Sequence, residues 1–259
     1  MDKPLLTVSG LTRHFPRGAT SIAAVDNVSF HIHPGETLAL AGPSGSGKST
    51  IARLLLRLIE AEAGSILFKG EDWLALRGAA LRARREDMQL VFQDSLAAFN
   101  PRATVAQALD VPLRIHGLAP HGERPRRIVA LLERVGLSPS LRHQAIHEIS
   151  GGQRQRVAIA RAIATNPSLI VLDEAVSALD VSVRRKILDL LLDLQQQEKI
   201  AYLFISHDLA VVRAFAHRVA ILDRGRIVEQ GDARKIIDAP QSDIGKALVA
   251  AIPALPVRA

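Results

Sequence analysis

Residues 42–50, Gly42-Pro43-Ser44-Gly45-Ser46-Gly47-Lys48-Ser49-Thr50, constrain this chain more than any other stretch. They fit the pattern of a glycine, four residues of any kind, then Gly-Lys-Ser or Gly-Lys-Thr. The glycines let successive backbone N–H groups turn toward an anion and approach it closely, Lys48 adds a point charge, and Ser49 offers a hydroxyl to a magnesium ion. Residues 37–41 read as a short apolar strand, and residues 49–60 carry Leu and Ile at helical spacing. The loop thus sits between a strand and a helix N-terminus, where the helix dipole favours phosphate. A flexible Gly/Ser turn would have no reason to be clamped there. The stretch implies a nucleoside triphosphate site in an α/β chain.

Three further apolar runs end in residues that carry chemistry. Residues 88–92 run into Gln93, residues 169–172 into Asp173-Glu174, and residues 201–205 into Ser206-His207. Near-continuous apolar runs are the mark of parallel strands buried on both faces, and residues 183–197 between two of them carry Ile187, Leu190, Leu191 and Leu194 as a helical stripe. Parallel sheets bind ligands at the carboxyl ends of their strands, so the phosphate loop, Gln93, Asp173, Glu174 and His207 are expected to share one site. Asp173 is placed to hold magnesium and Glu174 to polarise an attacking water. Neighbouring strand residues face opposite ways, so both serve only if the strand opens into a loop at that point. The following Ala175-Val176-Ser177 supports such an opening. His207 is placed to meet the terminal phosphate, and Gln93 to reach the magnesium or the water.

Residues 4–40 read as alternating short strands and turns: 5–8, a loop through Pro16 and Gly18, then 23–32, with Pro34-Gly35 before the strand that feeds the phosphate loop. This predicts an antiparallel sheet beside the nucleotide core. Phe15, read as a loop residue, is either a platform for a base or a half-buried packing aromatic. His31 and His33 share a strand face at a spacing of two and lack a third ligand, which favours a packed or solvated pair over a metal site.

Between Gln93 and Asn166 the strand pattern stops. Helices are expected over 105–116, 126–135 and 154–164, with breakers at Pro101, Pro112, 117–120 and 136–139. The last helix is preceded by Ser150-Gly151-Gly152-Gln153, with Ser150 as N-cap, two glycines permitting close approach and a helix dipole pointing outward, so it forms a second candidate phosphate site. Residues 218–222 and 226–229 read as a hairpin, and the last thirty residues as helix and Pro-rich coil. The expected organisation is a single domain: residues 1–92 and 166–240 form the nucleotide-binding core with its β subdomain, 93–165 a helical subdomain and 241–259 a tail.

With 259 residues, 48% of them hydrophobic, the chain has material for a sizeable α/β core. It has no cysteine, which excludes disulfides and thiolate metal sites. Its start lacks the pattern of a signal peptide, and no apolar run is long enough to span a membrane, so a soluble, cytoplasmic chain is expected. The formal charge of +7 is spread over short clusters, Arg82 to Arg85 and Arg124 to Arg127, and only 3% of residues are aromatic. That composition argues for solvated helix faces, or contact with an anionic membrane surface, over nucleic-acid binding.

Taken together, these elements resemble the ATPase subunits of ATP-binding cassette transporters, and the resemblance covers almost the whole chain. Residues 150–162, Ser150-Gly151-Gly152-Gln153-Arg154-Gln155-Arg156-Val157-Ala158-Ile159-Ala160-Arg161-Ala162, are similar to the family signature, with Ile149 where Leu is usual. The resemblance implies a phosphate-loop NTPase core with a mostly parallel sheet, an N-terminal antiparallel β subdomain and an inserted helical signature subdomain. It implies ATP and Mg2+ as cofactors, with Phe15 as the adenine-stacking residue and residues 42–50 as the phosphate cradle. Ser49, Gln93 and Asp173 then hold magnesium, Glu174 is the base, residues 177–180 a dimer-contact loop and His207 the switch histidine. It also accounts for two phosphate sites: two subunits sandwich two ATP molecules head to tail, and Ser150 to Gln153 complete the partner's site. The implied partners are a paralogous ATPase subunit or a second copy of this chain, two integral-membrane permease subunits and, indirectly, an extracytoplasmic solute-binding protein, with no nucleic acid. The implied place is the cytoplasmic face of the cell membrane. Residues 91–102 and 173–180 are similar to the peptide and nickel importer group. The glutamine run Gln195-Gln196-Gln197, the tail 252–258, and Ile244-Gly245 where peptide-type relatives often have Tyr-Thr, lean toward the second ATPase subunit of nickel importers, with dipeptide or oligopeptide import as the alternative. None of the nine histidines is expected to bind the cargo.

Overall fold

The structure, a computed structural model, describes residues 3–18, 20–93, 96 and 98–251. Asp94, Ser95 and Ala97 of the stretch after Gln93, and the tail 252–259, lie outside the described residues. Along the chain the elements are β1 (Leu6–Arg17), β2 (Thr20–Ile32), β3 (Thr37–Ala41), α1 (Lys48–Leu55), β4 (Ala63–Phe68), β5 (Glu71–Asp72), α2 (Gly78–Arg84), β6 (Met88–Val91), α3 (Val105–Ile115), α4 (Arg124–Arg134), α5 (Gly151–Ile163), β7 (Leu169–Asp173) and α6 (Val181–Glu198). They continue with β8 (Ala201–Ile205), α7 (Leu209–Phe215), β9 (Arg218–Asp223), β10 (Arg226–Asp232), α8 (Ala233–Asp238) and α9 (Asp243–Ala250). Two compact units result, one from Met1–Ala75 with Tyr202–Ala259, the other from Leu76–Ala201.

The first unit contains two sets of strands. One is antiparallel, in the order β2-β1-β4-β5. The other runs β10-β9-β3-β8, with β3 parallel to both β8 and β9, and β10 closing the edge antiparallel to β9. All five residues of β3 and all five of β8 are buried, in keeping with their near-continuous apolar runs. Tyr202 and Phe204 pack against Phe215 of α7, with ring centroids 6.0 and 5.0 Å apart.

The amino-terminal strands are longer than expected. The predicted loop through Pro16 is strand, and Phe15 pairs in register with Ile22. Shifts in register between Val8 and His14 absorb Gly10, whose φ is 61°, without ending the strand. Pro16 is tolerated because β4 pairs with β1 only as far as Thr12, so the missing N–H faces no neighbour. The His31 and His33 rings meet edge to face at 5.1 Å. Burial, then the Arg218 charge, pulls the His31 pKa below its ordinary value. No group of three or more His, Asp or Glu among the described residues is placed to hold a metal.

The second unit pairs β6 parallel with β7, and α5 packs on β6. Thr104, Ser150 and Asp180 cap α3, α5 and α6 by accepting the amide hydrogens of Gln107, Gln153 and Val183. Pro112, read as a breaker, lies inside α3 and is buried. It removes the N–H that would reach the Ala108 carbonyl, and the helix ends three residues later. The buried stripe of α6 is Ile187, Leu191 and Leu194, with Leu190 half-buried at its margin. The basic clusters lie mostly on open surface: Arg82, Arg84, Arg85, Arg126 and Arg127 are exposed. No helix among the described residues is long and apolar enough to cross a membrane.

Candidate nucleotide site

In the first unit, residues 42–47 leave the buried end of β3 and enter α1. Gly42 and Gly47 adopt φ values of 153° and 109°, and a Cβ on either would stand 2.2 Å from a backbone oxygen, of Leu222 and Ala24 respectively. Only glycine fits these two positions. Ser46 is pinned from both sides: its N–H donates to Pro43 O at 3.2 Å, and its carbonyl accepts from Gly225 N–H at 2.9 Å. Lys48 is 6% exposed, and its ammonium donates to the carbonyls of Gly42 at 2.9 Å and Pro43 at 2.8 Å. The cation is thus drawn into the loop it serves. Pro43, Ser44, Gly45 and Ser49 are exposed, and Thr50 is half-buried.

The helix behind this loop and α5 start differently. The N-cap of the first, Gly47, supplies no side chain to the first-turn N–H groups, whereas α5 closes its own N-terminus with a reciprocal pair, Gln153 N–H to Ser150 Oγ at 3.2 Å and Ser150 N–H to Gln153 Oε1 at 2.9 Å. A helix start with no side-chain cap leaves its positive end open to an anion. His207 is exposed two residues beyond β8. Leu40 pairs with Ile205 in parallel register, so the phosphate loop and His207 leave the same edge of the strand set.

In the second unit, β7 ends at Asp173, and Glu174 adopts φ 49°, the left-handed region that glutamate rarely visits. Ser177 holds the turn by donating both its N–H, at 3.1 Å, and its hydroxyl, at 2.9 Å, to the Glu174 carbonyl. The backbone therefore leaves strand geometry between the two carboxylates. Gln93 is exposed beyond β6 and, with Gly151, Arg154, Gln155, Ala175, Ala178 and Leu179, lines a cavity of about 300 Å³. Gly152 packs tightly on α6: a Cβ there would stand 2.7 Å from Val183 Cγ1. Arg161 of α5 lies over Phe99 at 4.3 Å and donates to Ala98 O at 2.7 Å, and burial lowers its pKa. Sequence reasoning passed over Arg161, although a cation inside an otherwise apolar helical run was the available signal.

A family model described as "ABC transporter" matches residues 25–177, which enclose the phosphate loop, Gln93, Ser150 to Gln153, Asp173 and Glu174. The chain belongs to the ABC transporter family. Among its relatives are the glutathione import ATP-binding proteins GsiA of Escherichia coli strain K12 and of Salmonella typhi, each 50% identical over 258 residues, which is 97% of this chain and 41% of the relative. The chain thus spans about two-fifths of the length of these relatives. Among solved structures, the dimeric ATP-binding cassette MJ0796 in a post-hydrolysis state with ADP and Pi aligns with TM-score 0.79 at 30% identity, covering 88% of this chain and 99% of that one. CbiO1 of Clostridium perfringens, part of the cbiONQ transporter complex, aligns with TM-score 0.80 at 26% identity, covering 92% of each. This ABC cassette has the α/β fold and inserted helices expected from its sequence. Phe15 and His207 fall outside the matched residues.

Proposed function

We propose that this ABC cassette is the ATP-hydrolysing subunit of an importer, coupling ATP binding and hydrolysis at a dimer interface to uptake of glutathione or a similar small peptide. The observation that carries the nucleotide part is the uncapped N-terminus of α1 behind a loop closed around Lys48. Triphosphate oxygens suit the positive end of such a helix. Phe15 stacks the base, residues 42–50 hold the phosphates, His207 contacts the terminal phosphate, and Ser150 to Gln153 serve the ATP of a partner chain. The oxygen ligands Ser49, Gln93 and Asp173 suit Mg2+, which neutralises phosphate charge when bound. Glu174, held outside strand geometry, polarises the attacking water. The working assembly pairs this chain with a paralogue or a second copy on two permease subunits at the cytoplasmic membrane face.

The cargo follows the relatives: half of the residues match glutathione import proteins, and glutathione is itself a short peptide. Nickel import is the second reading, favoured by Gln195 to Gln197 and by Ile244-Gly245 on α9. Deleting the gene and measuring uptake of labelled glutathione, a labelled dipeptide and radioactive nickel separates the two. Peptide-type uptake is expected to fall to background and to return with the wild-type chain but not with Lys48→Ala. A loss confined to nickel would show the peptide assignment to be wrong.

A further inference from the structure

Arg13 and Phe15 stand two residues apart on β1, and the Arg13 guanidinium carbon lies 5.1 Å from the centre of the Phe15 ring. Phe15 is 37% exposed, and its cross-strand partner Ile22 is 43% exposed, so the two form an open apolar ledge. The cation beside that ledge is held in place. Arg13 Nη1 lies 3.5 Å from Glu62 Oε1, and the other carboxylate oxygen accepts from the His14 backbone N–H at 3.2 Å and contacts His14 Nδ1 at 2.8 Å. Glu62 N–H in turn donates to Thr12 O at 3.0 Å. The hydrogen bond from His14 holds the Glu62 carboxyl below its usual range, keeping it anionic opposite the guanidinium. Arg13 Nε is buried without an acceptor, so the position is kept by the ring and the carboxylate at the expense of a hydrogen bond.

An exposed phenylalanine has little packing to select one ring orientation. A cation fixed over one face selects it, fills that face, and draws π-electron density away from the other. We propose that Arg13 is a positioning residue for the nucleobase, locking Phe15 so that its open face stacks the purine of ATP. The proposal rests on Phe15 being the base platform.

Binding of ATP and of inorganic tripolyphosphate, which has phosphates but no base, to the full chain provides the test. Arg13→Ala should weaken ATP binding about three- to tenfold, the range set by a cation–aromatic contact, and leave tripolyphosphate binding unchanged. Arg13→Lys, which keeps the charge and loses the planar fork, should fall between. In a Phe15→Ala background, Arg13→Ala should cost nothing further, because the partner it positions is gone. An equal loss for ATP and tripolyphosphate would overturn the proposal by revealing a general disturbance of the loop. A Phe15→Ala chain with weakened ATP binding beside an unaffected Arg13→Ala chain would overturn Arg13 alone, whereas full affinity in Phe15→Ala would remove the base platform and the proposal with it.

Discussion

Glu174 holds a backbone conformation that costs a non-glycine residue about 1–2 kcal/mol, and two hydrogen bonds from Ser177 to its carbonyl keep it there. Strain of this kind persists where the surroundings over-determine it, as at sites of chemistry. Glu174→Gln keeps shape and strain while removing the negative charge, so ATP binding and thermal stability should be unchanged, turnover should drop to near background, and a closed dimer should accumulate on size-exclusion chromatography with ATP. Normal turnover in that variant would refute Glu174 as the base. Glu174→Asn should also be inactive yet gain about 1 kcal/mol in denaturant unfolding, because asparagine enters the left-handed region more readily. The Asp-Glu pair at the end of an apolar run was readable in the sequence. The left-handed turn between the pair was not, because glutamate has no local preference for it.

At the scale of elements, α5 combines a locally encoded start with a packing constraint from elsewhere in the chain. Ser150 and Gln153 are three residues apart, so their reciprocal capping is written in the sequence and was legible there. Gly152 read as a residue allowing phosphate approach; in the structure it also lets α5 lie against Val183 of α6. Gly152→Ala should therefore destabilise the chain by about 1–3 kcal/mol through overpacking. In a Val183→Ala background the same change should be neutral or stabilising by about 0.5–1 kcal/mol, since alanine is the better helix former. Urea unfolding of the four chains reads the difference, and an equal loss in both backgrounds would show that the contact with Val183 does not set the glycine requirement. The amino-terminal strands teach the same lesson from the other direction. Pro16 and Gly18 read as a loop because local turn chemistry favours it, but pairing with β2 extends β1 to Arg17 and places Phe15 on a strand.

On the scale of the whole molecule, the proposed reading gives each chain a phosphate cradle of its own and a signature helix that serves another chain. Turnover per chain should then rise steeply with protein concentration and level off once dimers form, while ATP affinity stays constant across the same range. Rapid, concentration-independent turnover by a monomer would overturn the head-to-tail arrangement. The sequence by itself determined those parts whose information is local: a glycine loop between a buried strand and a helix, capping pairs three residues apart, and apolar runs ending in Gln93, Asp173 and His207. Each follows from rules acting over a few residues, so composition and spacing suffice. Tertiary structure alone decided that Lys48 folds onto the carbonyls of Gly42 and Pro43, that Gly47 must clear Ala24 and Gly152 must clear Val183, and that Glu62 sets Arg13 beside Phe15. Most of these contacts join residues far apart in the chain, and even the short-range lysine contacts depend on a loop shape imposed by its neighbours, so their energies appear only once the packed chain brings the groups together.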